Sequence, residues 1–163
     1  YRSIGINRND FMALLQMRPD MPEEFRAVEW IAYASNAFNT MVPFYANVTT
    51  TPQYLANTTA RVSTENFYWT SRMIAAMADA SYSKSLNHIE HYEEGVVSET
   101  RALLNQYDEK LAAEPDAAKR AALREEGNEK IAALLKRKAD ETLDHVLFEL
   151  SCQMKNAYAR SDA

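Results

Sequence analysis

The chain of 163 residues offers few groups able to do chemistry: one thiol, three imidazoles and a cluster of neutral amides. Cys152 is the only cysteine. At helical spacing it neighbours Phe148, Glu149 and Asn156, in a stretch whose apolar stripe holds Val146, Leu147, Leu150 and Met154. The end of a helix carries partial negative charge, which disfavours a thiolate. Cys152 is therefore expected to be a small buried thiol, not a nucleophile. His88 and His91 lie one turn apart among Glu90, Glu93 and Glu94. Neither an HExxH motif nor a paired Glu-x-x-His accompanies them, so solvated or carboxylate-paired imidazoles are expected, with no metal and no other cofactor. His145 has Glu141 one turn before it, and a local hydrogen bond is expected there.

The amides are more informative. The stretch 35–43 holds Asn36, Asn39 and Thr40 between two apolar runs. Acyl-transfer sites need donors aimed at the oxygen that becomes negative in a tetrahedral intermediate, and an asparagine amide supplies one without adding charge. The same residues also suit a plain turn, because Asn tolerates left-handed backbone. Both readings stand on the residues alone. Phe67, Tyr68 and Trp69, beside Met73 and Met77, read as core where a helix meets a sheet, rather than as a recognition surface.

The elements that position these groups change type near residue 60. Four of the five prolines precede it, with many aromatic and β-branched residues; beyond it Ala, Leu, Glu and Lys dominate. The fold class is α+β, with a strand-rich part over 1–60 and a helical part over 61–163. Strands are expected at 11–18, 26–35 and 40–48. The second has apolar residues on both faces, the pattern of a strand buried on both sides. Pro43 confines the third to an edge or a bulge. So few strands make a poor sheet alone, and they are expected to complete one begun upstream. Helices are expected from a cap at Ser63 or Thr64 to about 79, from about 83 to 113, and from about 117 to 158. Pro115 separates the last two into an antiparallel hairpin. Gly127 is either a weak point in the third helix or a place of close approach.

Composition excludes several classes. The net charge of −5 comes without a clustered basic stripe, so neither nucleic acid nor an anionic membrane surface is an expected partner. No apolar run is long enough to span a bilayer. One cysteine fits a reducing compartment, and a cytoplasmic location is expected. The chain opens on Tyr1, not Met, which suggests a truncated or processed polypeptide whose leading signals are out of sight.

Three runs carry a resemblance: RSIGINRNDFMALLQMRPDMPEEFRAVEWIAYAS at 2–35, FNTMVPFYANVTTTPQYLANT at 38–58 and RVSTENFYWTSRMIAAMAD at 61–79. Their most specific pieces are IGINR, QMRP, VPFYANV and NFYW. They resemble the C-terminal part of the bacterial dipeptidase A family, cysteine peptidases with an N-terminal nucleophile. The resemblance implies a four-layer αββα sandwich to which this chain gives late strands and C-terminal helices. It implies hydrolysis of short peptides by a first-residue cysteine whose own α-amino group acts as base. That cysteine would lie upstream, leaving this chain inactive alone and partnered by the rest of its polypeptide. The resemblance places Asn36 and Asn39 near the substrate, with Arg2 and Arg8 suited to a substrate carboxylate. The alternative is a non-catalytic module whose long helical hairpin mediates interaction or homo-oligomer assembly.

Overall fold

The computed structural model describes residue 6 and residues 9–154. The fold is α+β. Three strands, β1 (Phe11–Met17), β2 (Ala27–Tyr33) and β3 (Val42–Tyr45), form an antiparallel sheet in the order β1-β2-β3. Three helices follow: α1 (Phe67–Ala80), α2 (Tyr82–Ala113) and α3 (Ala117–Cys152). Among the described residues, no helix is long and apolar enough to cross a membrane.

β3 is an edge strand, as Pro43 requires. Tyr45 turns its N–H and carbonyl away from β2, and the Asn128 amide of α3 takes both, accepting at 2.8 Å and donating at 3.0 Å. Pro43 lies two residues earlier, on the same outward side, so its missing N–H removes no ladder bond. Gly127 proves to be a place of close approach. A Cβ there would lie 3.2 Å from the rings of both Tyr45 and Tyr107. Arg124 of α3 donates to the Asn47 carbonyl at 2.8 Å, extending the clamp past the strand.

The two faces of the sheet meet different helices. Arg18, at the end of β1, donates to both Asp108 carboxylate oxygens of α2 at 2.5 and 3.1 Å and also to the Phe25 carbonyl. The buried Tyr45 hydroxyl donates to the same carboxylate at 2.8 Å. On the opposite face Tyr33 packs edge-on against Phe67 and Tyr68 of α1. Tyr45, Phe67, Ile74, Ile89, Leu111, Ile131 and Leu135 are among the fully buried core residues.

Four expectations are corrected. β2 is not buried on both sides: Val28 and Ala32 are buried, whereas Ala27, Ile31 and Tyr33 on the other face are only half-buried. α1 covers that face at its Tyr33 end, and β1 beside it is almost wholly exposed. α1 starts at Phe67 and is capped by Asn66, not by Ser63 or Thr64. The Asn66 side chain accepts from Trp69 N at 3.4 Å and donates to the Ala56 carbonyl at 3.1 Å, so a contact across the loop fixes where the helix begins. α3 ends at Cys152, short of 158, where Gln153 N folds back onto the Leu150 carbonyl. Finally, Cys152 is exposed. Val146 is the last buried residue of α3, and Leu147, Phe148 and Met154 beyond it face outward.

Candidate functional site

The loop 34–41 leaves the end of β2 and passes between α1 and α2. Its entry is Ala34, a buried alanine at φ 63° whose N–H donates to the Asp10 carbonyl at 2.9 Å. A left-handed alanine costs roughly 1–2 kcal/mol, a strain that recurs where geometry serves a site. Phe38 N then donates to the Ser35 carbonyl, and the Phe38 ring packs against Tyr82. The turn so formed is the wall between two cavities.

The larger cavity, about 580 Å³, lies on the α1 side and is lined in part by Asp10, Phe38, Arg72 and Asp79. Arg72 is held there by donation to Asp10 at 2.6 Å and by the Tyr68 ring beneath its guanidinium. The smaller cavity, about 260 Å³, lies on the α2 side. Asn36, Asn39, Thr40 and Glu93 supply its polar lining, and Met12 and Val97 its apolar walls.

The two asparagines are each tied down at one end. Asn36 donates its Nδ2 to the Ile6 carbonyl at 3.3 Å, which leaves buried Oδ1 without a partner. Asn39 accepts Thr40 N at 2.8 Å on Oδ1, which leaves buried Nδ2 without one. The backbone bonds fix which way each amide faces. Asn36 thus offers an acceptor and Asn39 a donor, joined by the equally unpartnered Thr40 hydroxyl. Asn39 is 6% and Thr40 3% exposed, so these idle groups are shielded from bulk solvent. A buried polar atom left unpaired costs about 1–3 kcal/mol, and a site for a polar ligand is one reason to carry it. The left-handed backbone that the turn reading expected of an asparagine falls instead on Ala34, and neither Asn36 nor Asn39 takes it.

Glu93 went unnoticed as a cavity residue. It stands on α2 at i+4 from buried Ile89 and i−4 from Val97, a carboxylate within the helix's inward stripe, and that spacing was the available signal. Burial, with Glu90 nearby, pushes its carboxyl up to about 7. The other candidates gather elsewhere. His88 lies 3.6 Å from Glu149 of α3 and stacks on His145 at 4.9 Å between centroids, whereas Glu141 pairs with Arg137 and not with His145. Among the described residues no group of three or more His, Cys, Asp or Glu could hold a metal. Arg2 and Arg8 lie outside the described residues.

Known proteins are similar to this sequence. A dipeptidase of Bifidobacterium longum is 39% identical over 99% of the chain and 37% of its own length. A probable dipeptidase A of Streptococcus pyogenes serotype M18 is 41% identical over 99% of the chain and 33% of its own length. A probable dipeptidase B of Lactococcus lactis is 28% identical over the same share of the chain. The chain spans about a third of the length of these curated relatives. The profile of peptidase family C69 matches residues 1–95, a stretch that carries the whole sheet, the loop 34–41 and Glu93. With more than half of its length matched in this way, the chain belongs to peptidase family C69.

Proposed function

We propose that this chain is the C-terminal part of a cysteine dipeptidase and contributes one wall of its site. The observation that carries the reading is Asn39: a buried residue of a cavity wall whose Oδ1 is locked onto Thr40 N while Nδ2 has no partner among the described residues. In the proposed reaction a thiolate from a first-residue cysteine outside this chain attacks the carbonyl carbon of the scissile peptide bond. The carbonyl oxygen takes the negative charge, and Asn39 Nδ2, with the Thr40 hydroxyl, donates to it. Collapse expels the amine, which leaves with a proton, and water then hydrolyses the acyl-enzyme. The cysteine's own α-amino group serves as base. Donors already fixed before the charge appears lower the barrier because they need not reorganise. Asn36 Oδ1, the complementary acceptor, suits an N–H of the same substrate. Arg2 and Arg8 are proposed to face the substrate carboxylate, and a reducing, cytoplasmic setting suits a thiol nucleophile.

The same proposal gives the sheet a continuation. β1 exposes Leu14 and Leu15 at 52% and 76%, with Phe11 and Met17 beside them. We assign that free, apolar edge to the remainder of the polypeptide, with residues 1–60 completing its sheet and 61–163 forming the helical part. Dipeptide hydrolysis by the full-length protein tests the reading. Activity that a thiol alkylator abolishes, and that this chain alone lacks, is expected; a full-length protein that cleaves no dipeptide contradicts it.

A further inference from the structure

The smaller cavity is chemically lopsided. Its lining residues carry two acceptors, Asn36 Oδ1 and the Glu93 carboxylate, and two neutral donors, Asn39 Nδ2 and the Thr40 hydroxyl, but no lysine or arginine among the described residues. Glu93 makes no hydrogen bond or ion pair among them, although it is half-buried in the wall of α2. A carboxylate taken partly out of water with no cation beside it is unfavourable, and Glu90 on the same helix adds repulsion. Asn36 spends one of its two N–H donors on the Ile6 carbonyl and makes no bond to Glu93. A small cation with several N–H donors would complete the site. A lone carboxylate and an amide oxygen are too few ligands for a metal, which takes more oxygen donors than that. At about 260 Å³ the cavity is smaller than most ligand pockets, so it suits the end of a chain and not its interior.

We propose that Glu93 is a specificity-determining residue that, with Asn36 Oδ1, receives the free α-ammonium group of a peptide substrate. This assignment rests on the dipeptidase reading for the nature of the substrate. Asn39 and Thr40 line the same cavity, so an ammonium held at Glu93 brings the adjacent peptide carbonyl to the residues that carry the two idle donors. A peptide whose amino end is blocked, or whose first residue lies further up a longer chain, would leave the carboxylate buried and unpaired. The cavity thereby fixes the distance from the amino end to the bond that is cut.

The test uses the full-length protein and its E93Q and E93D variants. Alanyl-alanine is compared with propionyl-alanine, the same molecule without its amino group. Wild type is expected to prefer the free amine. E93Q should lower kcat/KM for alanyl-alanine about tenfold or more, chiefly through KM, and change propionyl-alanine less than about twofold. E93D, which keeps the charge, should retain most of the preference. Equal losses on both compounds, or an unchanged preference, overturn the assignment. Calorimetric titration with alaninamide separates it from the peptidase reading. Tighter binding to wild type than to E93Q upholds the ammonium site even if no dipeptide is cleaved, an outcome that sinks only the dipeptidase reading. Equal affinity, or no binding to either protein, overturns the assignment whatever the activity. Gln matches Glu in shape and removes an unfavourable charge, so E93Q is expected to fold.

Discussion

A single bond decides what Asn39 can do. The two ends of its amide are nearly alike in shape, and the Thr40 N–H, by claiming Oδ1, leaves the donor end as the idle one. The amide pair was legible in the sequence as a type and a place, between two apolar runs, but its orientation was not. That depends on Ile6 and Thr40 backbone atoms whose positions follow from the fold. Glu93 was hidden for a different reason: among so many acidic residues on a helix, one that points inward looks like the rest. Its environment makes a stability prediction. The folded protein resists ionising it, since its carboxyl sits near 7 against an ordinary 4.5. The unfavourable term is absent below about pH 4.5, grows as pH rises and is complete above about pH 7. E93Q should therefore raise Tm at pH 8 by about 2 °C, an effect moderated by solvent, and leave it unchanged at pH 4. Thermal melts at both pH values check this; equal shifts at the two would show that ionisation is not the cause.

Elements were read more securely than contacts. The change in composition near residue 60, the break at Pro115 and the edge placement of Pro43 all follow from local chemistry. Asp116 caps α3 by accepting Lys119 N at 2.9 Å, as its place just after that break suggests. Element ends set by distant partners were missed, as at Asn66, whose cap is shared with Ala56, and at Cys152, which lies on the exposed end of α3. The Asn128 clamp on β3 was equally invisible, since one asparagine in a long helix carries no pattern. It explains how a short edge strand is held in register under the loop 34–41. Asn128→Ala leaves a buried N–H and carbonyl of Tyr45 unpaired and should cost about 2–4 kcal/mol in a denaturant titration of the full-length protein. A loss below about 0.5 kcal/mol would mean that the clamp is incidental.

For the whole molecule, the sheet is the open question that the proposed function answers. β1 bonds to β2 through Met12, Leu14 and Gln16, so Ala13, Leu15 and Met17 turn their N–H groups outward along an edge that no strand of the described residues pairs. If a further strand of the same polypeptide covers that edge, those three amides in the full-length protein should exchange hydrogen as slowly as Leu14 and Gln16. Exchange that is fast at alternate residues of β1 would mean the edge stays open and the strands end here. Sequence reading anticipated an incomplete sheet from the number of strands alone; which edge is open became visible only with the strand order.

Asn39 is the donor proposed to meet the oxygen of the tetrahedral intermediate. Steady-state dipeptide hydrolysis by full-length wild type and Asn39→Ala is the direct test. The prediction is a fall in kcat of about 10²-fold or more with KM little changed, as for loss of one donor to a tetrahedral intermediate. An Asn39→Ala protein that folds and turns over at the wild-type rate would contradict the account, and would return Asn39 to the role of a turn residue.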